Sequence, residues 1–202
     1  MFDRQAVILY SYCGKLLIGL ISDTHIDYPS ASLPPQVKEA FQGVDLILHA
    51  GDIWIPSVLD DLETVAPVMA AWGDDDMEMD LGNDARMMSG HSLLLDGVNV
   101  WLTHIKPRYG LINPNEMLYK FAFQPSPEDP VNPDSIPDVV VFGHTHVSSM
   151  EYYKVANSND YKNVLLVNPG SATFPTYMPQ LGTVAILTID SGKVDVRIVS
   201  LK

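Results

Sequence analysis

Carboxylate and imidazole side chains recur along this 202-residue chain, each directly after a short apolar run. The groups are, in order, Asp23-Thr24-His25, Gly51-Asp52, Gly73-Asp74, His104 and Gly143-His144-Thr145-His146. They contain three Asp residues and four of the six histidines of the chain. Nitrogen and oxygen ligands without thiolates suit Mn, Fe, Zn, Ni or Co rather than a soft metal. The ordered set therefore predicts a metal site.

Seven such ligands are too many for a single ion, so the set predicts two divalent ions. Paired ions about 3.5–4 Å apart share an anionic bridge, and we assign that role to Asp52, which stands near the middle of the set. Bound metals lower the pKa of water from about 15.7 to about 7. The predicted nucleophile is therefore a hydroxide that bridges the two ions.

Five apolar runs lead into these groups and predict the buried strands that position them. The runs are residues 16–21, 44–49, 68–72, 98–102 and 139–142. In an open α/β sheet, ligands bind outside the carboxyl ends of the strands. Groups that are far apart in sequence are therefore expected to meet at one rim.

The segments between and after these strands predict the rest of the fold. Residues 35–41 and 56–62 begin with proline and have the apolar spacing of crossover helices, so the first three strands form a βαβαβ half. Further predictions are a hairpin of 92–95 and 98–102 around Asp96-Gly97, a helix over 114–123, a Pro-rich loop over 124–137, and three strands at 163–167, 183–189 and 194–201. These last three strands, with a turn at Ser191-Gly192, are expected to form a mainly antiparallel second sheet.

The ordered motifs resemble those of the calcineurin-like metallophosphoesterases, most closely the small single-domain prokaryotic phosphodiesterases, which are related in fold to Vps29. That pattern runs Asp-x-His, Gly-Asp, Gly-Asn, His and Gly-His-x-His, followed by an Asn-Pro-Gly-Ser turn, here Asn168-Pro169-Gly170-Ser171. The resemblance implies a four-layer αββα sandwich of two facing mixed sheets flanked by helices. We expect a single domain over residues 1–202, with 1–15 as an N-terminal extension.

By position, the resemblance also implies two overlapping sets of metal ligands. Asp23, His25, Asp52 and His146 would hold the first ion, and Asp52, Asp74, His104 and His144 the second. The implied cofactors are two divalent ions, with Mn as the first choice and Ni, Co, Fe or Zn as alternatives.

The chain departs from the family pattern at two neighbouring positions. Asp74 stands where the family has Asn, and its negative charge is expected to tighten metal binding and to make the bound water less acidic. Asp75 stands where many members carry a catalytic His, and it is our candidate for protonating the leaving group. Because a carboxylic acid is a poor acid at neutral pH unless its pKa is raised, diesters with good leaving groups are the favoured substrates.

Five other features have a structural interpretation, either alone or beside a functional one. Lys106 and Arg108 follow His104 and are candidates for binding phosphate oxygens, or are simply solvated. His49 is interpreted either as orienting a ligand or as a structural histidine, and His91 as a surface or hairpin residue. Apart from Asp74, the acidic run 74–80 has the composition of a solvated turn. Asn168 either reaches the rim of the site or, as the favoured interpretation, belongs to a turn.

Composition limits the partners. Apolar residues make up 47% of the chain, enough for a sizeable core. The net charge of −13 argues against binding of long nucleic acids. Cys13 is the only cysteine, so no intrachain disulfide forms and a reducing cytoplasm is expected. The apolar segment 6–10 is too short for a signal peptide or a membrane span, so no membrane association is expected. The sequence is compatible with a homo-oligomer.

Three functions compete at this point. The favoured one is a dinuclear metal phosphodiesterase that cleaves a small diester by in-line attack of the bridging hydroxide. A phosphomonoesterase or nucleotidase is the nearest alternative enzyme. The third is a non-catalytic scaffold similar to Vps29, because function often diverges on a shared fold.

Overall fold

The computed structural model describes residues 14–27, 32–76, 81–82, 84–107, 136–157 and 160–202, with side chains at all of them except 155–157 and 160–161. The predicted helix over 114–123, Arg108, residues 1–13 of the predicted extension and most of the Pro-rich loop lie outside this range. No helix in the described ranges is both long and apolar enough to cross a lipid bilayer.

The described residues form eleven strands, two α-helices and one short 3₁₀ helix at Pro175–Tyr177. In chain order, the elements are β1 (Leu16–Ile21), α1 (Pro35–Ala40), β2 (Leu46–His49), α2 (Pro56–Glu63), β3 (Val68–Ala71), β4 (Met87–Met88), β5 (His91–Leu95), β6 (Val98–Leu102), β7 (Val139–Val141), β8 (Ser149–Asn157), β9 (Asp160–Asn168), β10 (Thr183–Asp190) and β11 (Lys193–Ser200).

The first sheet has the strand order β11-β10-β1-β2-β3-β4. Strands β1, β2 and β3 are parallel and are connected through α1 and α2, which gives the predicted βαβαβ half. Each helix begins with proline, whose fixed φ suits the first helical turn. The buried residues Val58, Leu59 and Leu62 direct α2 onto the sheet.

The second sheet has the order β5-β6-β7-β9-β8, with β6, β7 and β9 parallel and an antiparallel strand at each edge. The predicted hairpin is present as β5 and β6. Asp96 and Gly97 at its turn have φ values of 46° and 78°, the left-handed geometry of a tight two-residue hairpin.

The placement of the last two strands corrects the sequence prediction. Strand β10 pairs antiparallel with β1 and β11 pairs with β10, so residues 183–189 and 194–201 belong to the first sheet. Only the strand predicted at 163–167 lies in the second sheet, as part of β9. The apolar pattern shows which residues of a strand are buried, but the choice of sheet depends on which edge is free to accept the strand.

Apolar residues of both sheets meet in the interior. Ile18 and Leu48 of the first sheet pack in one cluster with Val100, Val141 and Val167 of the second. The opposite face of the first sheet is covered by α1 and α2 in another cluster. The protein is thus an α/β sandwich of two facing mixed sheets, with helices on the outer face of the first.

His91 is buried, which corrects the expectation of a surface residue. It begins β5, so its assignment to the hairpin is right, but only 5% of it is exposed. Its Nε2 lies 2.9 Å from the carbonyl oxygen of Ala70 on β3. The imidazole therefore links the two sheets, a contact between strands that sequence spacing does not reveal.

Candidate metal centre

The seven predicted ligands lie at the rim where strands of both sheets end. Asp23 and His25 follow β1, Asp52 follows β2, Asp74 follows β3, His104 follows β6, and His144 and His146 follow β7. All five strands are members of parallel pairs. Loops at the carboxyl ends of such strands are where open α/β sheets bind ligands.

The ligand atoms form two groups, and within each group they lie no more than 4.8 Å apart. The first group is Asp23, His25, Asp52 and His146, and the second is Asp74, His104 and His144. The grouping differs from the two predicted sets only at Asp52, which belongs to the first group here, whereas the resemblance implies that it is shared by both.

The carboxylate of Asp52 lies between the two groups. Its Oδ2 is 3.4 Å from Nε2 of His25 and 3.3 Å from Nε2 of His104. Its Oδ1 accepts a hydrogen bond of 3.0 Å from the backbone N–H of Asp75. One oxygen is therefore anchored while the other faces both groups, as a bridging ligand requires.

Backbone carbonyls orient two of the imidazoles. Nδ1 of His104 lies 2.6 Å from the carbonyl oxygen of Ala50, and Nδ1 of His146 lies 2.7 Å from that of Phe174. A carbonyl only accepts hydrogen bonds, so each Nδ1 carries a proton and each Nε2 faces the site, where its lone pair can bind a metal once any proton on Nε2 has left. Metal-binding histidines are typically held in this way.

Nε2 of His104 shows that the residues fit a cation. It is buried without a hydrogen-bond partner, although Oδ1 of Asp74 lies 2.7 Å away. Nε2 of His25 and Nε2 of His146 similarly face each other at 3.1 Å. Nitrogen and oxygen atoms this close need a shared cation between them, which is a proton in the metal-free protein and a metal ion when one binds. With no thiolates in either group, the donor set fits borderline divalent ions.

Several candidate ligands have backbone conformations that are strained for residues other than glycine. The φ values are 52° at Asp23, 43° at His25, 58° at Asp52, 68° at His144 and 58° at His146. Each such residue costs about 1–3 kcal/mol and persists only where surrounding contacts enforce it. This concentration of left-handed backbone at one rim is typical of a functional site.

Burial and neighbouring charges shift the pKa values of the candidate ligands, upward at Asp23 and His104 and downward at His25. Burial raises the pKa of Asp23 to about 6, although a hydrogen bond from Ser22 acts against it. Burial lowers the pKa of His25. Burial also opposes a proton on His104, but the adjacent carboxylate of Asp52 outweighs it and raises the pKa of His104 to about 9. Protons therefore compete with metal at Asp23 and at His104.

Aromatic rings surround the first group. The Tyr177 ring stacks on His146 with a centroid distance of 4.3 Å. Trp54 meets His25 edge-on at 4.8 Å, and Phe174 lies 5.6 Å from His25. These rings limit the access of water to the imidazoles and hold their planes in position.

The environment of Asp23 explains a glycine in the last motif. Asp23 Oδ2 accepts a hydrogen bond of 2.6 Å from the Ser22 hydroxyl, and Oδ1 accepts one of 3.0 Å from the backbone N–H of His144. A Cβ at Gly143 would lie 1.8 Å from Ser22 Oγ. Only glycine therefore lets the strand end of β7 approach β1 this closely.

His49 is fully buried and connects the first two motif loops. Its Nδ1 accepts from the backbone N–H of Gly51 at 3.2 Å, so Nε2 carries the proton and donates to the Thr24 hydroxyl at 3.2 Å. That hydroxyl donates onward to the carbonyl of Asp52 at 3.3 Å. Burial lowers the pKa of His49 to about 3, which keeps the ring neutral. The structural interpretation and the ligand-orienting one thus both describe this residue.

Asn168 supports the last motif as well as its own turn. Its Oδ1 accepts from the backbone N–H of Gly170 at 2.8 Å, which forms the expected turn. Its Nδ2 donates to the carbonyl of Gly143 at 2.9 Å and to Thr145 Oγ1 at 3.0 Å. The Asn-Pro-Gly-Ser turn therefore holds the loop that carries His144 and His146.

The other predicted site residues are placed differently. Asp75 contacts Asp52 through its backbone N–H, while its side chain is exposed. Nζ of Lys106 forms an ion pair of 2.6 Å with Glu151 and lies over the rings of Phe142 and Tyr153. A phosphate contact would require Lys106 to leave or share this partner. Arg108 lies outside the described residues.

Sequence reasoning missed Asp76, which it grouped with a solvated acidic turn. The Asp76 carboxylate accepts hydrogen bonds from four backbone N–H groups, including that of Asp52. A run of acidic residues does not reveal which member turns inward. The position of Asp76, three residues after Gly73 of the third motif, was the sequence signal that could have identified it.

Comparison with known proteins agrees with this geometry. A model of the calcineurin-like phosphoesterase superfamily domain matches residues 16–192. A probable metallophosphoesterase of Methanothermobacter thermautotrophicus is 31% identical over 184 residues, which cover 91% of this chain and 92% of that protein. A phosphodiesterase of Methanocaldococcus jannaschii is 25% identical over 194 residues, covering 92% of this chain and 99% of that protein.

Among solved structures, a single-residue variant of Vps29 from Entamoeba histolytica has the same fold, with a TM-score of 0.55 and 17% identity. The match covers 93% of this chain and 100% of that one. The family match spans every candidate ligand. The chain belongs to the calcineurin-like phosphoesterase superfamily and is a metal-dependent phosphoester hydrolase.

Proposed function

We propose that this protein is a dinuclear-metal phosphodiesterase that hydrolyses a small phosphodiester. The observation that carries the proposal is the position of Asp52, whose Oδ2 lies within 3.4 Å of imidazole nitrogens of both ligand groups. A carboxylate between two groups is the arrangement that joins two ions into one centre.

The residues that would hold the ions are the two groups described above, with Asp52 common to both. When bound, two divalent ions supply a hydroxide at neutral pH and neutralise the phosphate charge that builds up during in-line attack. Manganese is the proposed native metal, and Ni, Co, Fe and Zn suit the same donors.

The protein residues prepare the centre before substrate binds. The backbone carbonyls of Ala50 and Phe174 fix the tautomers of His104 and His146, so both lone pairs face the site. The aromatic rings around His25 and His146 exclude water from one side of the centre. The exposed carboxyl group of Asp75, in its protonated form, is the proposed proton donor to the leaving group, with Lys106 and Arg108 as the proposed phosphate contacts.

The preference for a diester follows from the leaving group. Asp75 replaces the histidine that many family members use as an acid, so substrates whose leaving groups need little protonation are favoured. The phosphodiesterase of Methanocaldococcus jannaschii, a relative over 92% of this chain, supports the same substrate class.

The test is hydrolysis of bis(p-nitrophenyl) phosphate and of p-nitrophenyl phosphate by metal-stripped protein, with Mn, Ni, Co, Zn or Mg added back separately. We expect metal-dependent cleavage with the diester as the better substrate. Asp52→Ala should lower kcat/KM by about 10³-fold, about 4 kcal/mol of transition-state stabilisation.

Asp195→Ala is a matched control, because Asp195 is an exposed carboxylate on β11. It pairs with Thr188, which pairs with Leu17 at the start of β1, so it lies away from the rim. Activity should be unchanged in this variant. Faster cleavage of the monoester would support a phosphomonoesterase instead, and inactivity with every metal would support a scaffold similar to Vps29.

A further inference from the structure

The carboxylate of Asp76 accepts four backbone hydrogen bonds from two different loops. Its Oδ1 accepts from the N–H groups of Ile53 at 2.6 Å and Trp54 at 2.9 Å. Its Oδ2 accepts from Asp52 at 3.0 Å and from Gly73 at 2.8 Å. Both oxygens are thus used, and three of the four donors are consecutive residues of the loop that carries the bridging ligand.

The backbone of that loop explains why its donors converge. Asp52 and Trp54 have φ values of 58° and 77°, on either side of Ile53. Alternation of left-handed and ordinary conformations turns successive N–H groups toward the same side and creates a concave anion site. Here the anion is supplied by the Asp76 side chain, which compensates for the strain of the two left-handed residues.

The contact is reciprocal. While Asp76 binds the backbone of Asp52, the N–H of Asp75 binds Oδ1 of the Asp52 side chain at 3.0 Å. This leaves Oδ2 to face His25 and His104. A Cβ at Gly73 would lie 2.0 Å from Asp52 Oδ1 and 2.3 Å from Asp52 N, so the two loops approach as closely as backbone allows.

We propose that Asp76 is a positioning residue of the metal centre, which holds Asp52 in the orientation that lets one carboxylate oxygen reach both ligand groups. The inference rests on the proposed metal-dependent function. Asp76 acts through Asp52 and contacts neither substrate nor metal. The acidic run therefore contains three different roles: a candidate metal ligand at Asp74, a candidate acid at Asp75 and a backbone clamp at Asp76.

The test is Asp76→Asn, which preserves the size of the side chain. An amide has only one acceptor oxygen, and its NH₂ group would face N–H donors, so at least one pair of hydrogen bonds is lost. We expect the affinity for Mn²⁺, measured by titration calorimetry, to fall about 10–100-fold, as for other residues that orient metal ligands. The kcat for the diester should fall more than KM changes.

Asp61→Asn is the matched control. The Asp61 carboxylate also accepts a backbone N–H, from Leu33 at 3.0 Å, and pairs with Lys38, but it lies on α2 away from both ligand groups. Its loss should lower the melting temperature without changing Mn²⁺ affinity. If Asp61→Asn and Asp76→Asn weaken Mn²⁺ binding equally, or if Asp76→Asn binds Mn²⁺ as tightly as the wild type, the proposal is wrong.

Amide hydrogen exchange in the metal-free protein separates this proposal from the proposed function. We expect exchange at Ile53 and Trp54 to be at least about tenfold faster in Asp76→Asn, because these amides lose their acceptor. If the wild type binds no divalent ion, the proposed function is overturned, and unchanged exchange at both amides would independently overturn the clamp. Added formate is expected to restore part of the Mn²⁺ affinity of Asp76→Ala by occupying the vacated anion site.

Discussion

The two groups of candidate metal ligands differ in how far water reaches them. In the first group, the side chains of Asp23, His25, Asp52 and His146 are at most 6% exposed. In the second group His104 is equally buried, but Asp74 is 47% exposed and His144 is 45% exposed. The groups therefore share the same chemistry of donors but not the same solvation.

The contacts that surround the imidazoles also differ between the groups, and the buried first group is the more tightly held. A hydrogen bond to the Phe174 carbonyl and packing against Phe174 and Tyr177 restrain the imidazole of His146. His144 has a polar contact with Asp74 at 2.9 Å and a ring contact with His104. A preorganised, dry group loses less entropy when an ion binds, whereas an open group leaves room for substrate oxygens. We therefore expect a tight first ion and a weaker, more exchangeable second ion.

The largest expected effect is the pH dependence of binding of the first ion and of the second ion, which tests the difference between the buried and the exposed group. Metal must displace protons from its ligands, so metal affinity rises with pH until the ligand with the highest pKa has lost its proton. Competition from the Asp23 proton in the first step should end above about pH 6, whereas competition from the His104 proton in the second step should continue to about pH 9. Between these values, the second affinity can rise by up to about tenfold per pH unit.

Calorimetric titration of the metal-free protein with Mn²⁺ from pH 5.5 to 9.5 measures both steps. His104→Asn removes the group with the raised pKa and should abolish the rise of the second step above pH 6. Two steps that level off at the same pH would show that the groups do not differ in proton competition.

The next effect compares two histidines of the same motif. His146→Ala removes a buried ligand, and we expect the first-ion affinity to fall at least about 100-fold, because residues that only orient ligands already contribute about 10–100-fold. His144→Ala removes an exposed ligand and should lower only the second-ion affinity, by about tenfold. Calorimetry on both variants gives the comparison, and a larger loss in His144→Ala would reverse it.

Charge at the second group is tested by Asp74→Asn, which restores the family residue. Three carboxylates among the seven ligands become two, so the second ion should bind less tightly and acidify its water more strongly. We expect activity to be retained or to rise about threefold at saturating metal, a gain of about 0.6 kcal/mol, with the optimum shifted to lower pH. Complete loss of activity would show that the carboxylate itself is required.

The smallest effect concerns Lys106. Its ammonium is already paired with Glu151 at the surface, and exposed charge pairs contribute about 0–1 kcal/mol. We expect Lys106→Ala to raise KM for bis(p-nitrophenyl) phosphate about threefold with kcat unchanged. Glu151→Ala is the companion variant: it frees Lys106 and should lower KM, whereas an unchanged KM in both variants would remove Lys106 from the list of phosphate contacts.

Local sequence signals predicted most of the elements around the centre. The strands that precede the ligands were predicted within two residues of their observed ends, because each is a short apolar run that stops at a polar loop residue. Both described helices were indicated by a starting proline and apolar spacing. The sheet assignment of β10 and β11 was wrong, because it depends on the partner strand β1 rather than on their own residues.

The amino-acid sequence by itself determined which side chains can bind metal, their order, and their place after successive parallel strands, since these follow from side-chain chemistry and local periodicity. Only the tertiary structure decided the division into a buried and an exposed group, the inward turn of Asp76 and the burial of His91. Burial and backbone hydrogen bonding arise from contacts between loops and strands that are distant in sequence. A motif identifies its ligands, but packing determines how much water and how many protons compete with the metal.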